Sequence, residues 1–536
     1  MFMLQVLIPF LLLYICVYLI GKYNEVYWRR RGVPLYKRHK VTGIYWDFIF
    51  GGRAVFESLC DVYRSYPAAP VVGVGCLLTP SLQVRGARCV RHVLARDSAA
   101  FAHRGVQPNR GDLLADNVLF MHGVRWKLMR QALTPLFTAS KLRSMYYIMD
   151  RSARDFADHL KHHPELWTTG VYDTLSTFCS AAIGAAVFGI TPESIFDSPF
   201  LNMAQKAFKP TFWSDTNLVL SNLSLELSQF LGIKLFKEHE PLFINAIRKV
   251  LEQRRQESGG TAKHDFAELC VALQRAGRIR DPQLPLELEP TDELLAAQAF
   301  FFFIAGVEPT ASALFATLYE LGRHPEHQQR LHQEIDEVFA ANSGELSADA
   351  VSRMEFLDSV VCEALRLHPP VGYLKRLCIR DSVLPTDDAG GVHVKCNTRV
   401  YVPVYEAHHD AKIWEHPDLF QPARFSAENK RLVSEWTYLP FGRGARECIG
   451  RRYAALQVKA GLVHVLQCFS VSSRTLPCHP YSRQQLQREK GRSARGVSRE
   501  VAQRSQEAYA SEAMEEGHGV RPRLLPQPRH CTEHRL

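Results

Sequence analysis

The residues that could do chemistry lie together in residues 441–450, Phe-Gly-Arg-Gly-Ala-Arg-Glu-Cys-Ile-Gly. Cys448 lies among glycines, which let a backbone turn tightly and approach another group closely. Backbone N–H groups and the cations Arg443 and Arg446 can stabilise a thiolate, the form of cysteine that ligates a metal. The stretch therefore predicts a loop wrapped around a buried sulfur ligand, although a basic loop with an ordinary buried cysteine would have the same composition.

Two helices must position this loop and face it. Residues 451–468 predict a helix that begins just after the cysteine, and its N-terminal dipole favours an anionic sulfur. Residues 291–323 predict one long helix, with Thr291 as its cap and two acidic residues in its first turn. The run Ala-Ala-Gln-Ala-Phe-Phe-Phe-Phe-Ile-Ala-Gly in that helix is apolar on all sides. This composition indicates a helix buried through a large domain.

The loop resembles the haem-binding loop of the cytochrome P-450 family, whose pattern is Phe-x-x-Gly-x-Arg/His-x-Cys-x-Gly. Phe441, Gly444, Arg446, Cys448 and Gly450 meet the pattern. The resemblance implies a mostly α fold with small β-sheets and a haem b cofactor. It also implies that these five residues bind the cofactor, with the thiolate of Cys448 as the axial ligand of the iron.

Further haem contacts follow from the resemblance. Trp126 and Arg130 share a face of a predicted helix within 121–142, because residues four apart lie one above the other. The family has Trp-x-x-x-Arg there, reaching a haem propionate, although a surface aromatic–cation pair has the same spacing. Arg376 occupies a position where many members direct an arginine to the propionates. Ala305 lies in the long helix over the haem.

A structural triad is also implied. Glu363 and Arg366 are three residues apart on a predicted helix around 354–367, so they share a face and can pair. The family buries such a pair with a later arginine, here Arg424, and Ala423 replaces the acidic residue usual before it. A solvated helix pair is the alternative for Glu363 and Arg366.

Proton delivery is where the chain departs from the family. The long helix usually carries Ala/Gly-Gly-x-Asp/Glu-Thr-Thr/Ser, and here Pro309 replaces the first threonine. Proline donates no hydrogen bond and removes the helix bond to the Ala305 carbonyl, which predicts a kink. Glu308 and Thr310 are therefore the candidate catalytic residues. Thr310 points about 100° away from position 309 on a regular helix, and an ordinary helical threonine is its alternative role.

Three functions remain open. The resemblance favours a monooxygenase that inserts one oxygen atom from O2 into a lipophilic sterol, fatty acid or xenobiotic. Its electrons would come from NADPH through NADPH-cytochrome P-450 reductase, with cytochrome b5 as a further partner. The replaced threonine keeps open a haem-thiolate enzyme that rearranges or cleaves peroxides without a reductase. A haem-binding membrane protein without turnover is the third function.

The N-terminus predicts a membrane anchor. Residues 1–21 are uncharged and mostly apolar, long enough to span a bilayer, and cations follow. A cleaved signal peptide would carry positive charge before the apolar stretch, so a retained anchor is preferred. The charge bias predicts a body on the cytoplasmic side, and the resemblance to microsomal members of the family implies the endoplasmic reticulum membrane. Residues 22–40 are predicted to be a basic, proline-containing linker, and 41–472 the catalytic domain.

Composition excludes several other classes. The formal net charge of +10 is concentrated partly in the C-terminal region, so the body is only mildly basic and nucleic-acid binding is not implied. The 13 cysteines contain no Cys-x-x-Cys, which argues against a zinc ribbon or a thioredoxin-like pair. Residues 473–536 are rich in Arg, Gln, Ser and Glu and are predicted to form an atypical, disordered tail.

Overall fold

The computed structural model describes residues 2–38, 40–49, 53–75, 77–109, 111–167, 171–188, 220, 225–256, 265–386, 390–473 and 524–528. Within them the chain is mostly helical with three small sheets, as predicted. The α-helices are α1 (Phe2–Arg29), α2 (Trp46–Ile49), α3 (Val55–Ser65), α4 (Gly86–Arg91), α5 (Gly123–Leu133), α6 (Ala139–His162), α7 (Val171–Phe188), α8 (Leu225–Phe230), α9 (Glu240–Gln256), α10 (Phe266–Arg275), α11 (Asp292–Arg323), α12 (Pro325–Ala341), α13 (Ala348–Ser352), α14 (Glu355–Leu367), α15 (Val404–His408) and α16 (Arg451–Cys468).

The strands are β1 (Val71–Val74), β2 (Ser81–Val84), β3 (Tyr373–Leu377), β4 (Ser382–Leu384), β5 (Val392–Val394), β6 (Arg399–Pro403), β7 (Phe469–Ser473) and β8 (Leu524–Pro528). The largest sheet has the order β1-β2-β6-β3, in which β2 and β6 are parallel and the other neighbours are antiparallel. Two antiparallel pairs, β4–β5 and β7–β8, make up the rest.

Helix α11 runs through the main hydrophobic core, as its apolar sequence predicts. Its cap is the predicted one, because the Thr291 hydroxyl accepts a hydrogen bond from the backbone N–H of Leu294 at 3.2 Å. The helix packs closely on α7: a Cβ at Gly306 would lie 2.9 Å from the Ile183 side chain. This close approach fixes which turn of α11 faces α7.

The first helix is longer than the predicted anchor. It continues into residues 22–40, which the sequence predicts to be a linker, because its last turns pack on the domain. Trp28 is fully buried, and a Cβ at Gly73 would lie 2.5 Å from its ring. The Asn24 amide also donates a hydrogen bond to the Lys40 carbonyl at 2.8 Å. The helix ends at Arg29 and is followed by turns, whereas the predicted anchor ends at residue 21.

Among the described residues, α11 is the one helix that passes a length-and-hydropathy test for a membrane span, and 61% of its apolar window is buried in the protein. It is the core helix of the domain. The family resemblance also implies that the apolar and aromatic residues 198–236 roof a substrate pocket, with a plain buried helix pair as the alternative, and these residues lie largely outside the described ones. Of the predicted tail, 524–528 form β8 on β7, where the sequence predicts disorder, and the rest beyond residue 473 lies outside the described residues.

Candidate active site

The Cys448 loop is shaped by its own backbone. The N–H of Cys448 donates to the Phe441 carbonyl at 2.9 Å, and the N–H of Glu447 donates to the Gly444 carbonyl at 3.0 Å. Gly444 has a φ of +78°, and a Cβ there would lie 1.8 Å from the Leu94 carbonyl oxygen. Only glycine fits such a position, since its φ is left-handed and the space for a side chain is already occupied. The loop then passes directly into α16, which begins at the predicted residue.

A cavity of about 740 Å³ separates this loop from α11. Its lining is mostly apolar, and the Cys448 side chain is exposed on its wall. Ten of the eleven cofactor and catalytic residues predicted from the sequence line it: Trp126, Arg130, Ala305, Glu308, Thr310, Arg376, Phe441, Arg446, Cys448 and Gly450. Gly444, the eleventh, is not in the lining and lies against the Leu94 carbonyl.

Several cations converge on one side of this cavity. Desolvation lowers the pKa of Arg376 to about 9 and that of Arg446 to about 9, and in both cases the Arg104 guanidinium contributes. The Arg446 guanidinium stacks on the Trp126 ring at 3.9 Å and donates to the carbonyls of Ala102 and Met121. Its Nη1 has no hydrogen-bond partner among the described residues.

This cluster fits the acidic groups of haem. Buried cations without counter-ions are costly, and bidentate carboxylates are the natural partners of guanidinium groups. The orphaned Arg446 Nη1 and Arg104 Nε are the donors such carboxylates would satisfy. No group of three or more His, Cys, Asp or Glu side chains in the described part of the chain could hold a bare metal ion. The Cys448 sulfur on the wall of a mostly apolar cavity, with cations at its side, suits a metal carried in an organic, anionic ring.

Arg104 is a site residue that the sequence reasoning missed. It lines the cavity, donates to the Arg446 carbonyl at 3.3 Å, and has its pKa lowered to about 10 by desolvation. It lies in an irregular segment between helices, where no periodicity or spacing marks it. Only the folded arrangement brings it beside residues hundreds of positions later in the chain.

The electrostatics of the sulfur differ in part from the prediction. Burial raises the pKa of the Cys448 thiol above its usual value. The backbone N–H of Gly450 and the cations Arg130 and Arg104 oppose that rise. These groups lessen the rise without cancelling it, so the pKa of the thiol stays above its usual value. A metal cation at the sulfur would deprotonate it outright.

The departure at Pro309 is visible in α11. The helix continues through Pro309 to its predicted end, so the predicted kink does not interrupt it. Glu308 lines the cavity, and its carboxyl accepts a hydrogen bond from the Tyr172 hydroxyl at 2.9 Å. Thr310 is buried and also lines the cavity. The two predicted catalytic residues are thus brought to the same wall.

The predicted triad is present and buried. Glu363 and Arg366 are 0% exposed and form two parallel hydrogen bonds of 2.8 and 2.9 Å. Arg424 donates to the same carboxylate at 3.2 Å, and so does the backbone N–H of Gln421 at 2.9 Å. This network joins α14 to the segment that precedes the Cys448 loop. The solvated helix pair is excluded for these side chains.

Comparison with known proteins agrees with this site. The family model for cytochrome P450 matches residues 36–492. The chain is 31% identical over 483 residues to "Cytochrome P450 6k1" of Blattella germanica, covering 87% of this chain and 90% of that protein. It is 32% identical to "Probable cytochrome P450 6v1" of Drosophila melanogaster, covering 84% and 90%. It is 30% identical to "Cytochrome P450 6B6" of Helicoverpa armigera, covering 85% and 91%.

The family match extends about twenty residues beyond the predicted domain end at 472. It spans the cysteine loop, the cation cluster, α11 and the buried triad. Members of the family use haem with a cysteine thiolate as the axial ligand. This chain therefore belongs to the cytochrome P450 family and is an oxidoreductase of the monooxygenase type.

Proposed function

We propose that this protein inserts one oxygen atom from O2 into a lipophilic small molecule, such as a sterol, a fatty acid or a xenobiotic, with electrons derived from NADPH. The observation that carries the proposal is the cavity between the Cys448 loop and α11. It brings the Cys448 sulfur, a cluster of cations and a mostly apolar wall together in one cavity. Such a cavity suits an apolar substrate, whose burial is favourable in proportion to the area removed from water.

Haem, when bound, supplies the activation of O2 and the electron transfer that no side chain can perform. The protein's part is to hold and surround it. Cys448 would provide the sulfur ligand, and Gly444 lets the loop press against the Leu94 carbonyl so that the sulfur is fixed. Arg104, Arg376 and Arg446, with Trp126 and Arg130, would hold the two propionates.

The substrate side of the cavity is built from apolar side chains. Three of them come from the middle of α11, and the others come from the segments after Asn117 and Pro370 and before Lys237. These side chains exclude water and give the substrate an apolar contact surface: Phe120, Phe236, Phe300, Phe301, Ile304 and Val371. Their size limits the substrate to a molecule that fits beside the haem.

Glu308 and Thr310 are proposed as the groups that hold protons on the substrate side. Burial raises the pKa of Glu308, so its carboxyl can carry a proton nearer to neutral pH than a free glutamate can. The Thr310 hydroxyl is the nearest substitute on α11 for the threonine that Pro309 replaces. Pro309 itself leaves the Ala305 carbonyl without its helix donor, and Ala305 lies on the cavity wall.

A membrane location supports the choice of a lipophilic substrate. The apolar side chains in the first part of α1 are exposed, which would be unfavourable in water and favourable in a bilayer: Phe10, Leu11, Leu12, Leu13, Tyr14 and Leu19. We infer a single-pass anchor in the endoplasmic reticulum membrane with the domain in the cytoplasm. NADPH-cytochrome P450 reductase is the proposed electron donor, with cytochrome b5 as a further partner.

One observation favours a second candidate function. With Pro309 in place of the threonine, the helix lacks a hydroxyl at the position that normally assists O2 activation. An enzyme that isomerises or cleaves an organic peroxide begins with the O–O bond already formed and needs neither a reductase nor that hydroxyl. The same cavity and the same cysteine would serve it.

Turnover in two matched assays separates the candidates. The full-length protein in phospholipid vesicles is supplied either with reductase, NADPH and O2, or with a fatty-acid hydroperoxide and no reductase. Product that forms in proportion to NADPH consumed and carries oxygen from labelled O2 supports the monooxygenase. Product from the hydroperoxide alone, with no NADPH-dependent oxygenation of any lipophilic compound in a broad panel, supports the peroxide enzyme.

A further inference from the structure

A tyrosine outside the cavity holds the carboxyl of Glu308 from behind. Tyr172 lies in the first turn of α7, and its hydroxyl is 2.9 Å from Glu308 Oε2 and 3.2 Å from the Glu308 backbone carbonyl oxygen. Its ring packs edge-on against the ring of Phe315, which also lies in α11, with ring centroids 6.1 Å apart. Tyr172 is partly exposed and does not line the cavity, whereas Glu308 does. The pair therefore connects the outer end of α7 with the cavity wall.

The two distances allow both protonation states of Glu308 to be satisfied. When the carboxylate is charged, the Tyr172 hydroxyl donates its proton to Oε2. When the carboxyl is protonated, Oε2 can donate to the tyrosine oxygen, and the tyrosine can turn its own proton to the Glu308 carbonyl. A hydroxyl both donates and accepts, so this exchange needs only a rotation about the C–O bond. Phenylalanine at this position could do neither.

The charges around Glu308 are few. Burial raises the pKa of its carboxyl, the hydrogen bond from Tyr172 lowers it, and the neighbouring Asp173 carboxylate raises it. The Cys179 thiol also lies on α7, and burial raises its pKa so far that it stays neutral. Within the described part of the chain, no cation is among the groups that shift the pKa of Glu308. Tyr172 is thus the one group of these that favours the charged carboxylate.

The neighbouring position explains why this matters here. Pro309 removes the hydroxyl beside Glu308 on the cavity wall, and α11 presents one carboxyl to the cavity among its described residues. A carboxyl that must work without that hydroxyl needs another group to orient it and to exchange protons with it. Tyr172 is in hydrogen-bond contact with that carboxyl and does not itself line the cavity.

We propose that Tyr172 is a positioning residue that makes Glu308 the proton carrier of this cavity and links it to solvent at the start of α7. The proposal rests on the monooxygenase function. In one cycle the tyrosine oxygen accepts a proton from solvent while its own proton passes to Oε2 of Glu308. The Glu308 carboxyl then gives one proton to an oxygen acceptor in the cavity. One proton enters, one leaves, and the pair returns to its starting state.

The first test measures the proton affinity of Glu308 without turnover. Full-length protein in lipid nanodiscs is titrated by infrared difference spectroscopy, and Glu308→Gln assigns the carboxyl band. Because Tyr172→Phe removes the donor to the charged form, we expect the apparent pKa of Glu308 to rise by about one unit. The matched control is Tyr146→Phe, which also removes a buried hydroxyl, one with no hydrogen-bond partner among the described residues. Tyr146→Phe should leave the titration unchanged, and a Tyr172→Phe titration that coincides with wild type overturns the proposal.

The second test measures proton delivery. In the reductase assay, Tyr172→Phe is expected to lower product per NADPH several-fold and to raise the solvent deuterium isotope effect, with substrate affinity and haem content as in wild type. Equal coupling and equal isotope effects in the two proteins would overturn the relay. The two failures are distinguishable. If Tyr172→Phe shifts the titration of Glu308 but the wild-type protein oxygenates nothing, the monooxygenase function and the relay are both refuted, whereas the hydrogen bond between Tyr172 and Glu308 stands. An unshifted titration in an active enzyme refutes the role of Tyr172 alone.

Discussion

Replacing Arg366 with lysine tests how the fold holds the cysteine segment in place. All five N–H donors of this buried guanidinium are used: two go to the Glu363 carboxylate and three to the backbone carbonyls of His408, Pro417 and Leu419. Those carbonyls belong to the chain that leads from β6 to the Cys448 loop. One side chain therefore ties that chain to α14.

Lysine keeps the charge but has only three donors on one nitrogen. At least two of the five acceptors would lose their donor inside the protein. Each unsatisfied buried group costs about 1–3 kcal/mol, so Arg366→Lys should lower the free energy of unfolding by about 2–6 kcal/mol. A surface pair gives the control: Arg143 donates to Asp349 at 2.7 Å, and both side chains are more than half exposed. Arg143→Lys should change the free energy of unfolding by less than about 1 kcal/mol.

The assay is urea unfolding of the full-length protein in detergent, followed by far-ultraviolet circular dichroism and by haem absorption. Arg366→Lys is expected to shift the midpoint to lower urea by both probes, with haem lost early. A midpoint within the range of Arg143→Lys would show that the donor count does not set the stability of this network, and the reasoning would be refuted.

Gly444→Ala places a methyl group 1.8 Å from the Leu94 carbonyl at a φ of +78°, so most bound haem should be lost at equal protein level. The control is Gly390→Ala, whose methyl group would meet nothing within 4 Å and which should keep the wild-type haem-to-protein ratio. Burial lowers the pKa of His408 to about 3, so between pH 6.5 and 3 the unfolded state binds more protons than the native state, and stability falls as pH falls. At pH 5 this one histidine should cost about 2 kcal/mol relative to pH 7.5, and His408→Gln should flatten that slope in urea midpoints; an unchanged slope would contradict the assignment. Pro309→Thr restores the donor to α11 and should raise product per NADPH while leaving hydroperoxide-driven turnover little changed; a fall in coupling would count against the account of Pro309.

The parts of the site that depend on local sequence could be predicted. Thr291 caps α11 as expected, because a threonine followed by two acidic residues and an apolar run is typical of a helix N-terminus. The helix at 451–468 begins and ends where predicted. Glu363 and Arg366 pair because three-residue spacing on one helix leaves them side by side. In each case the information lies within a few turns of chain.

What could not be predicted depends on contacts between distant segments. Tyr172 and Glu308 are 136 residues apart, and nothing in either stretch marks the other. Arg104 lies in an irregular segment and becomes a site residue only because the Arg446 backbone comes to it. The greater length of the N-terminal helix also depends on a distant contact, since its last turns are held by Trp28 against Gly73 in β1. Spacing within a helix says nothing about such pairs.

The central claim is that Cys448 is the axial ligand of a haem in this cavity. The most direct measurement is the carbon monoxide difference spectrum of the reduced protein in membranes, compared with Cys448→Ala and with Cys362→Ala. Cys362 also lines the cavity, and burial raises the pKa of its thiol to about 11, so it makes a matched control. We expect the strongly red-shifted band of thiolate ligation in wild type and in Cys362→Ala, and its loss in Cys448→Ala. The same band in Cys448→Ala, or its absence from wild-type protein that contains haem, would contradict the assignment.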